Sequence, residues 1–388
     1  MPYKIPDAAE PFTLSISDQE YSEFQQLLKL SRIGPATWEN QFEDKRYGVP
    51  HQWLSSTKDY WLNKFDWRAQ EMRINSFPNY KVNVPDKKGD VELHFVGLFS
   101  ENENAIPLIL LHGWPGSFLE FLPTLDLLRH KYDSNTLPYH VIVPSLPGYT
   151  LSSGPSRTEA WVAEDAARVV NAALNILGFN KYVVQGGDVG CLIASLLGTT
   201  YDSAAAVHLN LLPSLDPVDE NDPSLSEKEK HAVKRANERF LTPTIGAALL
   251  QSTRPATISA IASSNPLALL AWIGEKFLEW PDDDINLDEI LTNVTLYWFT
   301  DSMPRCIYTY RGTFINGHKY DLPRINKPFG YSWFMRELVP GPRKAVENKG
   351  ELVFYRQHEK GGHFAALERP QEFLQDIEDF VKEAWKSI

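Results

Sequence analysis

Apolar positions along this chain change their spacing twice. Up to about residue 90 they are sparse and largely helical: Tyr21, Phe24 and Leu28 recur at intervals of three and four behind Ser17 and Glu20, a pair spaced as a capping box. Trp53, Trp61, Phe65 and Trp67 then read as aromatic anchors of an arm packed on a larger body. From about Val91 the pattern becomes short β-branched runs separated by turns and helical stretches: VELHFVGL, PLILLHG, HVIVPSLPG, YVVQGGD, AAVHLN and, much later, ELVFYR. Strands alternating with helices predict an α/β architecture, a mostly parallel central sheet covered by helices on both faces. Between about Leu215 and Gly317 only helical patterns occur, among them Ser226 to Phe240 and SNPLALLAWIGEKFLEW. The sheet resumes at Glu351 to Arg356, and a closing amphipathic helix carries Phe373, Ile377, Phe380 and Trp385. The expected divisions are an N-terminal arm over residues 1–90, the first part of the core over 91–214, a helical cap over 215–318 and the rest of the core over 319–388.

Composition narrows the function. Apolar residues make up 43% of the 388 and charged residues 23%, enough for a large core. A net charge of −12 with no cationic stripe argues against a nucleic-acid partner. The opening MPYKIPDAAEPF has no apolar stretch after a basic start, and runs such as Pro107 to Leu111 are too short to span a bilayer, so no membrane partner and a cytoplasmic location are expected. Two cysteines, Cys191 and Cys306, are too few for a disulfide framework or a Cys-rich zinc site and are expected to be inert core thiols. With no HExxH, Walker or dinucleotide motif, no metal and no cofactor are expected.

Chemistry concentrates in three places. Gly186-Gly187-Asp188-Val189-Gly190 follows the strand YVVQ and precedes the small-residue stretch CLIASLLG, the strand, sharp turn and helix of a nucleophile elbow. Taken alone it is also a Gly-rich turn whose Asp caps a helix. At an elbow tip, however, Asp in place of Ser changes the reaction. A carboxylate attacking an ester would give an anhydride, whereas displacement at a saturated carbon gives an ordinary ester. His112-Gly113-Trp114-Pro115-Gly116 follows PLILL and resembles an HGxP-type loop; the backbone N–H groups of Trp114 and Val189 are the expected oxyanion donors. Gly361-Gly362-His363-Phe364 comes after the last strand, where the order nucleophile, acid, histidine puts a general base, and an imidazole suits proton removal from water at neutral pH. His112, His208 and His318 are expected to be structural.

These residues carry a resemblance. HGWPGSFLEF, VPSLPGY, QGGDVG, STRP, NPLALLAWIGEKF, TYRGT and GGHFAALERP together resemble the microsomal-type epoxide hydrolases of the α/β-hydrolase fold, including members without a membrane anchor, and the likeness covers nearly the whole chain. The resemblance implies that the N-terminal segment is the family's meander, which in some members supports a homodimer. It implies that Glu337, in the run FMRELVP and 26 positions before His363, is the acid that orients the histidine; Glu347, Glu351 and Glu359 are nearby carboxylates read as surface groups. It also implies two cap tyrosines that donate to the epoxide oxygen. Tyr310 matches one; the other position holds Ala247, and no tyrosine occurs between Tyr201 and Tyr297. Phe118, Ala247 and Trp333 are the expected pocket residues.

The expected activity is therefore conversion of a small-molecule epoxide to a vicinal diol through an ester on Asp188, hydrolysed by water that His363 activates. The replacement at Ala247 leaves an alternative, an intramolecular epoxide opening or cyclisation. Haloalkane dehalogenation stands lower, because Val189 offers a halide only a backbone N–H. A non-catalytic binding protein stands lower still, because it has no need of Asp188, Glu337 and His363 together.

Overall fold

The computed structural model describes residues 5–212, 218–239, 245–311 and 324–387. Among the described residues nine strands form one sheet: β1 (Glu10–Pro11), β2 (Asn79–Val84), β3 (Val91–Leu98), β4 (Ile106–Leu111), β5 (Tyr139–Pro144), β6 (Tyr182–Gly186), β7 (Ala204–Leu209), β8 (Ile325–Phe334) and β9 (Gly350–His358). Their order is β1-β2-β3-β5-β4-β6-β7-β8-β9. The first three pairings, from β1 to β5, are antiparallel and the other five are parallel. Every residue of β5 and β7 is buried, as expected of strands covered on both faces.

Three strands escaped the sequence pattern. β1 is two residues long. β2 reads NYKVNV and buries Tyr80, Val82 and Val84 on one face, but Pro78, Pro85 and its polar positions hide the period. β2 and β1 bring the N-terminal arm into the sheet itself, so the arm is not merely packed against the core as expected. β8 reads INKPFGYSWF; its ladder shifts register between Ile325 and Pro328, the irregularity that lets a residue without an N–H sit in a strand.

Topology sets the position of the site. β4 runs between β5 and β6, and the chain leaves β4 and β6 on the same edge of the sheet. Crevices of parallel sheets open at such a reversal of strand order. Register makes the juxtaposition tight: Leu111, the last residue of β4, lies opposite Gly186, the last of β6, so the two following loops begin level with each other.

Between β7 and β8 the described residues form helices and no strand, including Ile245–Thr253, Pro266–Glu279, Leu287–Phe299 and Tyr308–Arg311. The expected division points at 214/215 and 318/319, and His318, lie outside the described residues. Asn265 and Asn286 cap two of these helices through their side chains. The arm grips this layer. Trp61 Nε1 donates to Thr295 Oγ1 at 3.1 Å, Tyr60 Oη to Asp288 at 3.0 Å, and Arg73 pairs with Glu289 at 2.6 Å, all on Leu287–Phe299. Among the described residues no single helix is long and apolar enough to cross a membrane.

Candidate active site

Asp188 opens the helix Asp188–Thr200 directly after β6 and Gly187. Its φ is +47°, a left-handed conformation that costs a non-glycine residue roughly 1–3 kcal/mol and persists only where the surroundings enforce it. Two contacts do so. At Gly190 a Cβ would stand 2.2 Å from the carbonyl oxygen of Leu111, so only glycine lets the helix descend onto the end of β4. At Gly113 a Cβ would stand 2.2 Å from Asp188 Oδ1. The bare backbone there lets the loop after β4 close over the carboxylate.

That loop supplies the first donor. The Trp114 N–H donates to Asp188 Oδ1 at 2.7 Å. His112, which the sequence analysis left as structural, holds the loop: its Nδ1 is 3.0 Å from the Gly113 carbonyl and its Nε2 accepts from the Leu146 N–H at 3.1 Å. Burial pushes its pKa down to about 4, so it stays neutral. Val189 lies in the first turn of the helix, where N–H groups have no intrahelical acceptor, although no bond from its N–H to Asp188 is found among the described residues.

His363 approaches from the loop after β9. Its Nε2 lies 3.3 Å from Asp188 Oδ2, and its Nδ1 is 2.7 Å from Glu337 Oε1. Glu337, one residue beyond the Met335 and Arg336 that follow β8, is buried, and the same oxygen accepts from the Leu338 N–H at 2.6 Å. Glu359, the competing acid, is instead exposed and pairs with Lys228. Burial opposes protonation of His363, but the carboxylates of Glu337 and Asp188 outweigh it and hold its pKa well above the usual range. Trp280 packs edge-on against the imidazole with ring centres 4.9 Å apart, and its carbonyl accepts from the His363 N–H at 3.2 Å.

From the cap side, the Tyr310 ring meets Trp114 edge-on at 5.8 Å. Burial raises the Tyr310 pKa well above 10, with the Asp188 charge adding to it, so the hydroxyl keeps its proton. Tyr308 points away and donates to the Pro147 carbonyl at 2.9 Å. Ala247 is half-buried in Ile245–Thr253.

A cavity of about 20 Å³ beside Asp188 is lined by Trp114, Glu120, Gln185, Asn210 and His363, among others. Three expected pocket residues do not line it. Phe118 is fully buried against His94, with ring centres 4.9 Å apart, and Trp333 is fully buried within β8. Ala247 lies on a cap helix and is not among the cavity's residues either. Their aromatic or apolar character could not distinguish lining from core.

Two acidic residues went unremarked in the sequence although the motifs containing them were noted. Glu120, in HGWPGSFLEF, faces the cavity. Burial, reinforced by Asp188 and Glu337, pushes its carboxyl up to about 8, with His363 pulling the other way. Glu368, in GGHFAALERP, accepts from the N–H groups of Gly362 and Phe364 at 3.0 Å and of Asp282 at 2.7 Å, which ties the histidine loop to the cap. Burial raises it to about 7. Only side-chain orientation separates these two from surface glutamates.

Comparison with known proteins agrees with this arrangement. A family model described as the epoxide hydrolase N terminus matches residues 9–121, and one described as the alpha/beta hydrolase fold matches residues 106–287. A putative epoxide hydrolase of Dothistroma septosporum is 40% identical over 380 residues, spanning 97% of this chain and 90% of its own. Epoxide hydrolase 1 of Sus scrofa is 30% identical, spanning 98% and 91%. The structure of Aspergillus niger epoxide hydrolase matches with a TM-score of 0.92 at 46% identity, over 98% of this chain and 99% of that one. On the α/β-hydrolase fold, this chain belongs to the epoxide hydrolase family.

Proposed function

We propose that the protein opens small-molecule epoxides to vicinal diols through a covalent ester on Asp188. The observation that carries this is the environment of one carboxylate: Asp188 Oδ1 rests on the Trp114 N–H at 2.7 Å while Oδ2 stays within 3.3 Å of a histidine whose far nitrogen is held by Glu337. In the proposed cycle Oδ2 attacks a ring carbon as Tyr310 gives its proton to the departing ring oxygen. Asp188 loses its charge on alkylation, which removes one of the two charges that keep the proton on His363; that proton passes to the Tyr310 phenolate, which restores the tyrosine and leaves the imidazole neutral as a base. Water then attacks Cγ of Asp188, the negative charge collects on Oδ1 over the Trp114 and Val189 N–H groups, and the diol leaves. Neither metal nor cofactor enters this chemistry.

A second reading keeps the scaffold and alters the reaction. With Ala247 where the resemblance puts a second tyrosine, a substrate's own hydroxyl can stand in for the missing donor, and where that hydroxyl attacks the ring instead the product is cyclic.

One experiment separates these readings. A single turnover in oxygen-18 water, read by intact and peptide mass spectrometry across aryl and alkyl epoxides, is expected to place the label in Asp188 and leave the diol unlabelled; His363→Gln is expected to accumulate the ester and Asp188→Ala to form none. Label in the diol alone means direct attack by water and sinks the covalent cycle. A cyclic product without label uptake favours the second reading.

A further inference from the structure

Ester hydrolysis needs a water within reach of both Asp188 Cγ and His363 Nε2, and that water carries a second hydrogen which must go to an acceptor. The cavity beside Asp188 has room for about one water, since such a site needs at least 10–15 Å³. Its lining mixes apolar residues such as Phe121 and Phe373 with polar ones, Glu120, Gln185, Asp188, Asn210 and His363, which give a water partners that a wholly apolar void would lack. Gln185 is 1% exposed; its Nε2 donates to Asn210 Oδ1 at 2.8 Å, while its Oε1 has no hydrogen-bond partner among the described residues. A buried acceptor left bare costs about 1–3 kcal/mol, so it points to an occupant that can donate. Glu120 reaches the same cavity from the turn after the Trp114 loop. Its Oε2 lies 2.9 Å from where a Cβ on Gly116 would stand, so the absence of a side chain at Gly116 is what admits the carboxyl.

We propose that this cavity seats the hydrolytic water and that Glu120, with Gln185, positions it by accepting a hydrogen bond from the hydrogen that His363 does not take. The inference rests on the ester reading of Asp188. With neutral His363, the water's O–H bond breaks towards Nε2 and its oxygen bonds to Cγ. The carbonyl electron pair moves onto Oδ1. Collapse of that intermediate breaks the bond from Cγ to the diol oxygen, which takes the proton from His363, and the carboxylic acid left on Asp188 then gives its proton to His363 and regenerates the carboxylate. Glu120 exchanges no proton in this step: its carbonyl oxygen accepts a hydrogen bond, a role that an amide can fill.

The test is rapid-quench single-turnover kinetics on the full-length protein with an aryl epoxide that the wild type turns over, ester and diol being followed separately. Glu120→Leu fills the space but accepts nothing. It is expected to slow ester hydrolysis by about 10- to 100-fold, the loss of one buried hydrogen bond, while ester formation stays within about twofold of wild type, so the ester accumulates. Glu120→Gln, which keeps a carbonyl, is expected to hydrolyse the ester at close to the wild-type rate. Equal slowing of both steps in Glu120→Leu would assign Glu120 to packing and overturn the proposal, as would unchanged hydrolysis in that variant. If His363→Gln accumulates no ester under the same quench, the ester reading itself fails and the water seat falls with it; an ester there combined with unchanged hydrolysis in Glu120→Leu overturns the water seat alone.

Discussion

The two walls of the candidate site differ in how tightly they are specified. On the sheet side, Asp188, Trp114, His363 and Glu337 are each held by short bonds or by glycine contacts that admit no other residue, and their backbone leaves strands whose register is locked by the core. On the cap side, Tyr310 comes from a four-residue helix, and its counterpart position holds Ala247. In the proposed cycle the sheet wall carries the chemistry common to every substrate, whereas the cap wall meets the variable part of the ligand. A wall built from crossing strands has little freedom to vary; one laid on by separate helices can exchange a tyrosine for an alanine without disturbing the ladder beneath.

The comparison breaks first if the sheet wall proves tolerant. Glu337→Gln keeps the shape but removes the charge that holds His363, and turnover is expected to fall about 10⁴-fold, the scale known for the orienting acid of a catalytic triad. Steady-state kcat at pH 7 measures it, and a loss under tenfold would show that Glu337 does not orient the base. Tyr310→Phe tests the cap wall. Loss of the proposed tyrosine donor is expected to cost about 10²- to 10³-fold in ester formation, with ester hydrolysis unaffected; near-normal alkylation would mean that another group activates the epoxide oxygen. Ala247→Tyr is the smaller change and is expected to speed ester formation for compact epoxides while excluding bulky ones, so a kcat/KM comparison across substrate sizes sharpens the difference between the walls. An unchanged ranking of substrates would place Ala247 outside the pocket.

Stability against pH is the smallest effect. His94, His112, His140 and His208 are buried, and loss of hydration lowers their pKa values to about 3, 4, 4 and 4. A histidine depressed in the folded state stabilises above its unfolded pKa near 6.5, and that stability is lost as pH falls from there towards the folded value. Glu120 and Glu368, raised to about 8 and 7, hold protons in the folded state that the unfolded chain releases above pH 4.5, and so act in the opposite sense. Between pH 6 and 5 the unfolded chain thus binds about two more protons than the folded one, and unfolding free energy is expected to drop by about 2–3 kcal/mol per pH unit. Urea melts at pH 5, 5.5 and 6 read this out; a flat or rising stability towards pH 5 would mean that these histidines are not neutral in the fold.

Much of the sheet wall was legible without coordinates because its chemistry is local. A strand, two glycines and an aspartate within a few residues of one another specify an elbow, and HGWPG and GGHF lie next to their own strands. The third member was less accessible. Glu337 lies 26 positions from His363 with Glu347, Glu351 and Glu359 between them, and only a family resemblance picked it out. Size and hydrophobicity leave Phe118 and Trp333 open between pocket and core, and neither lines the cavity beside Asp188.

By itself, then, the sequence determined the α/β class and the helical layer between the strands, and it singled out the elbow aspartate and the loop histidine that the fold brings together, because periodicity and turn chemistry depend on near neighbours along the chain. Tertiary structure alone decided that β2 joins the sheet, that the arm grips the cap, that Glu120 and Gln185 line one cavity beside Asp188, and which of the four glutamates near His363 touches it. These depend on the distance between segments remote in sequence, which is fixed by strand order and packing and leaves no mark on local residue patterns.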